Sequence, residues 1–131
     1  MASEEKNTKF ITRYAFEKDK SRPGRSLQSV KVGGVFISRL EVEPGKVVGN
    51  IYYEKTNLIF FVERGQLDFK SLQLNTGERD ERFFRSGDGI IHVPPNVALA
   101  FYNRFSNLAV VIMLSDQPVR SVDQKEYILF I

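Results

Sequence analysis

The sequence predicts an all-β chain folded as a double-sheet jelly roll, and three observations carry that expectation. Short runs rich in Val, Ile, Phe and Tyr recur from Ser29 onward, separated by Gly, Pro and Asn. Helical periodicity is nowhere sustained, and no internal repeat is present. Several runs are apolar at every position, which calls for cover on both faces of the strand. At 131 residues the chain is one domain by size, and its 42% hydrophobic content, with eleven Phe and five Tyr, supplies a core for it.

The elements follow in order. Val30–Val32 and Val35–Val42 flank the turn Gly33-Gly34, and Pro44-Gly45 closes the second of them. Asn50–Tyr53 and Leu58–Val62 come next, and the latter ends at Gly65. Leu67–Leu74 enters the hairpin-type turn Asn75-Thr76-Gly77, and Arg82–Arg85 returns to Gly87-Asp88. Ile90–Val93, Val97–Asn103, Leu108–Leu114 and Tyr127–Ile131 complete the set, with Pro94-Pro95 between the first two. About nine or ten short strands is the number a jelly roll uses.

Residues 1–27 read differently, as a polar arm ahead of a single domain at 28–131. The arm holds seven basic and four acidic residues, an excess equal to the net charge of +3 on the whole chain, so the body is neutral. A solvated arm accounts for this pattern; a nucleic-acid contact through Arg22-Pro23-Gly24-Arg25 is the alternative. The chain has no cysteine, which excludes disulfides, thiolate zinc sites and a cysteine nucleophile. No apolar run is long enough for a helix across a bilayer, and Met1–Lys9 is polar, so an intracellular protein is expected.

Two stretches have diagnostic spacing. In the first, Gly45 is followed by positions 51, 53 and 58 and by Gly65; in the second, "GDGIIHVPPNVALAFYN" runs from Gly87 to Asn103. Together they resemble the two sequence motifs of the cupin superfamily, and the resemblance implies a jelly-roll barrel. One extra residue separates Gly87 from Pro94, which is read as a bulge or as use of Gly89. Where the family carries its metal-binding His, His, Glu and His, this chain has Ile51, Tyr53, Leu58 and Leu99. Divalent iron, manganese or zinc takes nitrogen and oxygen donors, and three of these four side chains offer none. No metal or other cofactor is expected.

Metal-free catalysis is the remaining enzymatic reading. Deoxysugar epimerases and ketoisomerases, which this chain resembles at the level of the superfamily, use a His base and a Tyr acid; here that implies a sugar or nucleotide-sugar pocket of Tyr53, His92, Arg39 and Tyr102. His92 is the single histidine, and a surface strand position explains it as well. Arg39 on a solvated strand face and aromatic residues used in packing are the corresponding alternatives.

Alternation points elsewhere. The motif register turns positions 51, 53, 58, 60 and 62 inward, leaving Ile59 and Phe61 outward; Val110, Ile112 and Leu114 form an equivalent outer set. An apolar outer face in a one-domain protein is most simply covered by a second copy. A ligand-free barrel with such a face resembles the C-terminal dimerisation domain of centromere protein C, on Ile59-Phe60-Phe61-Val62-Glu63-Arg64-Gly65, Val93-Pro94-Pro95-Asn96 and Asn103. That resemblance implies a non-catalytic homodimer that binds a protein partner, at the kinetochore and in the nucleus; without it a cytoplasmic location is expected.

Overall fold

The computed structural model describes residues 3–7, as backbone only, together with 10–19 and 23–130. Thirteen strands and no helix are present among them. The first three are β1 (Ser3–Asn7), β2 (Thr12–Ala15) and β3 (Glu17–Lys18). β4 (Arg25–Val32) and β5 (Val35–Val42) meet at Gly33-Gly34, where Gly33 takes a φ of 61°. β6 (Val47–Tyr53), β7 (Leu58–Arg64), β8 (Gln66–Gln73) and β9 (Arg79–Arg85) carry the middle of the chain. β10 (Ile91–Val93), β11 (Val97–Tyr102), β12 (Ala109–Ser115) and β13 (Gln124–Glu126) complete it.

These strands form two antiparallel layers. One sheet has the order β10-β7-β12-β5-β4-β3 and the other β13-β6-β11-β8-β9, while β1 and β2 make a separate two-stranded sheet. Sequence neighbours lie in opposite sheets at several crossings, the mark of a jelly roll. The core fills the space between the layers. Leu58, Phe60 and Val62 of β7 lie beside Val111 and Met113 of β12 in one sheet and face Leu67 and Phe69 of β8 and Leu99 and Phe101 of β11 in the other. Residues 58 to 62 thus bury every second side chain, as the motif register predicts.

The motif glycines have identifiable work. At Gly65 the backbone takes a φ of 79°, and a Cβ there would sit 2.6 Å from the Leu108 carbonyl oxygen, so β7 can pass that close to the start of β12 only without a side chain. Gly45 donates its amide to the Asn103 carbonyl at 2.6 Å, and the Asn103 amide donates to the Lys46 carbonyl at 3.0 Å. The start of the first motif is therefore bonded to the end of the second. The extra residue before Pro94 lies in the loop 86–90, where Gly87 and Gly89 both have positive φ, and not inside a strand. Ile90, read as the first residue of a strand, is 72% exposed in that loop.

Two further elements depart from the sequence reading. Tyr127–Ile131 was expected as a strand, yet among its described residues none is in a ladder; the last strand is Gln124–Glu126. Asn50, in the left-handed region at φ 57°, explains the difference. Its Oδ1 accepts from the Leu129 and Phe130 amides at 2.8 and 3.0 Å, and its Nδ2 donates to the Phe130 carbonyl at 3.2 Å. A side chain thus replaces the neighbouring strand, and Phe130 packs on Tyr102 with ring centroids 5.6 Å apart. At the other end, the sheet takes up residues ahead of position 28: Glu17 and Lys18 pair with Ser29 and Gln28, and β4 begins at Arg25. No helix among the described residues is long and apolar enough to cross a membrane.

Candidate functional site

The four positions at which the motifs lack ligands converge. Ile51 and Tyr53 lie on β6, Leu99 is the β11 partner of Ile51, and Leu58 opens β7 on the facing sheet. All four line a cavity of about 100 Å³, together with Leu27, Leu40, Val48, Phe101, Met113 and Val119. Leu58 and Leu99 are 2% and 3% exposed, so they serve as core side chains as well as cavity wall.

Tyr53 supplies the polar group nearest in sequence to these aliphatics. Its hydroxyl donates to the Val119 carbonyl and receives Gln124 Nε2 at 3.3 Å. Burial is the main influence on its acidity and pushes the phenol up to about 12, which keeps it protonated at neutral pH. The turn after Pro94-Pro95 docks behind it, with the Asn96 amide 2.7 Å from the Tyr53 carbonyl oxygen.

A divalent metal does not fit these residues. Three are aliphatic, the fourth is a protonated phenol already bonded, and no group of three His, Cys, Asp or Glu side chains suited to a metal occurs among the described residues. Elemental analysis of purified protein is expected to find no stoichiometric iron, manganese, zinc or nickel, with thermal stability unchanged by chelator. One metal ion per chain would overturn this.

Of the four residues of the alternative sugar pocket, only Tyr53 lines the cavity. His92 lies opposite Ile59, between inward-facing partners of Phe60 and Leu58, and is therefore turned to the outer face, where its Nε2 is 3.1 Å from Asn57 Oδ1. Arg39 also faces outward and holds Glu41 at 2.5 Å. Tyr102 covers Phe130 on the other sheet. Strand alternation separates these groups, so His92 and Tyr53 do not form an acid–base pair.

The cavity has a polar end that the sequence reading missed. Arg25 of β4 is in the cavity wall with its side chain 8% exposed, and its Nη2 is 3.1 Å from Asp19 Oδ2. Arg120, also in the wall, reaches the same oxygen at 2.9 Å. The available signal was parity: extending the Leu27 strand back by two residues turns Arg25 inward. Beside this end, Asp123 braces the loop after β6, accepting from the Lys55 and Thr56 amides at 2.8 and 3.0 Å and from Ser121. Desolvation raises its pKa, but the hydrogen bonds from Ser121, Lys55 and Thr56 together outweigh it and hold the carboxyl at about 2.

The outer face of the six-stranded sheet carries the expected apolar set with one exception. Ile59, 39% exposed, lies beside Leu114, and Leu114 beside Ile37; Phe61 lies beside Ile112, and these neighbours are half-buried. Val110 is fully buried within the chain itself, so it has no surface left to offer a partner.

No family model matches the chain, and no curated protein matches its sequence. Solved structures do resemble it. The capsular polysaccharide assembling protein CapF from Staphylococcus aureus superposes with a TM-score of 0.73 at 20% identity, over 88% of this chain and 32% of that one. An oxalate oxidase in complex with the substrate analogue glycolate gives 0.65 at 19% identity, over 74% and 53%. The 7S globulin of Momordica charantia gives 0.69 at 14%, over 86% and 35%. The chain therefore spans from about a third to about half of the length of these proteins. At these identities the likeness shows the fold, a cupin jelly roll.

Proposed function

We propose that this cupin-fold chain is a non-catalytic module that pairs with a second copy of itself, through the outer face of the six-stranded sheet, and presents the dimer to a protein partner. The observation that carries the reading is the exposed Ile59 set among Phe61, Ile112, Leu114 and Ile37 on three adjacent strands. A two-fold axis through such a patch sets like against like, and an apolar surface needs no charge complementarity to match itself. The polar border suits it: His92 lies at one side and the Arg39–Glu41 pair at another, so neither places an unpaired charge at the centre. The resemblance to the dimerisation domain of centromere protein C supports the same arrangement and names its finer form, a kinetochore partner in the nucleus.

Phe61→Arg tests it. The substitution puts two guanidinium groups into the contact, one from each copy, where an unpaired charge is expensive to desolvate. The side chain points away from the core, so the barrel is untouched. Light scattering at micromolar concentration is expected to give a dimer for the wild type and a folded monomer, with unchanged circular dichroism, for the variant. A monomeric wild type, or a variant that remains dimeric, would remove this reading.

A further inference from the structure

We propose that the outer face of the five-stranded sheet is a groove for an extended peptide of a protein partner, one carrying an aromatic residue, and that residues 127–130 of the chain occupy it in cis. The inference starts from an irregularity in β6. Ile51 pairs with Leu99 and Gly49 with Ala100, so Asn50 is left out of the ladder as a bulge, with Gly49 and Asn50 both at positive φ. A Cβ at Gly49 would lie 3.0 Å from the Leu99 carbonyl oxygen, so the bulge is built with glycine. Bulges re-aim side chains, and this one turns Asn50 onto the terminal segment.

What Asn50 reads is backbone. Its side chain bonds both amides of Leu129-Phe130 and the Phe130 carbonyl, and its own carbonyl accepts the Tyr127 amide at 2.7 Å. Lys70 of β8 adds a long bond, 3.5 Å, to the Leu129 carbonyl. None of these contacts depends on the side chains the segment carries, so an extended segment of another protein can make them all. Main-chain bonding of this kind is how sheets take up added peptides.

Side chains supply the selectivity. Between Asn50 and Lys70 the floor of the groove is Gly49 and Ala100, neighbours across β6 and β11. No side chain there exceeds a methyl group, which leaves a trough for a chain crossing the sheet. At its far end the Phe130 ring lies 4.4 Å from Lys70 Nζ and 5.6 Å from the Tyr102 ring, between centroids. A cation over a ring face favours an aromatic residue at that position over an aliphatic one. Ile128 is 56% exposed, so the position two before the aromatic is not read. The inference gives the protein partner of the proposed function its contact, and in that respect rests on that reading. It uses the opposite sheet from the pairing face, so the light-scattering test of Phe61→Arg and the experiment below fail separately.

The probe is a fluorescein-labelled, C-terminally amidated peptide Lys-Glu-Tyr-Ile-Leu-Phe, the sequence of residues 125–130, titrated into the full chain and followed by fluorescence anisotropy. In the wild type the tethered segment competes at an effective concentration on the order of millimolar, which masks the groove. Phe130→Ala weakens that competitor and leaves Asn50, Lys70 and Tyr102 in place. The variant is expected to bind the peptide saturably and at least about tenfold more tightly than the wild type, and a peptide with Ala for Phe is expected to bind it at least about tenfold more weakly. Adding Asn50→Gly, which accepts the positive φ and removes only the side-chain bonds, is expected to abolish binding. The proposal is overturned if Phe130→Ala does not bind the peptide saturably, if the Ala peptide binds as well, or if the folded double variant binds like Phe130→Ala. Dissociation of wild-type dimers by the peptide would make a second copy the occupant and overturn it too. Should either variant not fold, amide shifts of the wild type at millimolar peptide decide: saturation at Asn50, Lys70 and Tyr102 with the Phe peptide and not with the Ala peptide supports the groove, and any other result overturns it.

Discussion

Phe60→Ala is expected to lower stability by about 3–5 kcal/mol, a large share of what a domain of this size possesses. Phe60 is fully buried at the centre of the core, with its ring 5.1 Å from Phe69, 5.9 Å from Phe84 and 5.0 Å from Phe101 between centroids. Those partners come from the opposite sheet, so the ring holds the two layers together as well as filling space. Truncation removes apolar area from the core and leaves a cavity that four strands would have to move to close. Urea unfolding should show the loss as a lower midpoint at an unchanged slope. Ile59→Ala, one position along, is the matched control: Ile59 is 39% exposed and lies on the other face, so its truncation should alter the midpoint little while weakening self-association. Equal losses from the two substitutions would contradict the inward and outward assignment on which the pairing surface rests.

Asn103→Leu is expected to cost about 2–4 kcal/mol, although the new side chain is more hydrophobic and similar in size. Asn103 is fully buried. Its Nδ2 donates to the Val42 carbonyl at 2.9 Å and to the Asn107 carbonyl at 2.8 Å, while its Oδ1 accepts the Phe105 amide at 3.0 Å. Leucine can replace none of these bonds, and each buried backbone group left without its partner is destabilising. Asn103→Asp separates bonding from size. It keeps the acceptor for Phe105 but sets a carboxylate against two carbonyl oxygens, so at neutral pH it should be at least as damaging as leucine. Thermal melts of the two variants beside the wild type supply the measurement. An aspartate variant as stable as the wild type would show that the two donated bonds contribute nothing.

Asn103 also shows how far the sequence could be read. Its place at the end of the second motif was legible from the spacing, as were Gly45 and Gly65, because turn and close-approach residues are set by local backbone geometry and leave a trace in the residue type. Alternation was legible for the same reason. A period of two puts Leu58, Phe60 and Val62 on one face and Ile59 and Phe61 on the other, and the resemblance to the cupin motifs implied which of the two apolar faces is inward.

What spacing left open were contacts between residues distant in the chain. His92 sits one residue from inward-facing neighbours, and its direction depended on pairing with Ile59, 33 positions earlier in the sequence. Val110 belongs to the outward set by parity, yet burial within the chain removes it from any surface. The C-terminal residues have strand composition, but the Asn50 side chain, 80 positions away, takes the hydrogen bonds a strand would make. Arg25 was read as part of a solvated arm because its local surroundings are polar; the cavity it lines is built by β6, β7, β11 and the segment around Arg120. Sequence determined the sheet, its faces and the absence of metal donors at the motif positions, since each depends on residue type and local period. Tertiary structure alone decided which polar groups share the barrel with those aliphatics, since that depends on where separate strands bring the chain back to the same point.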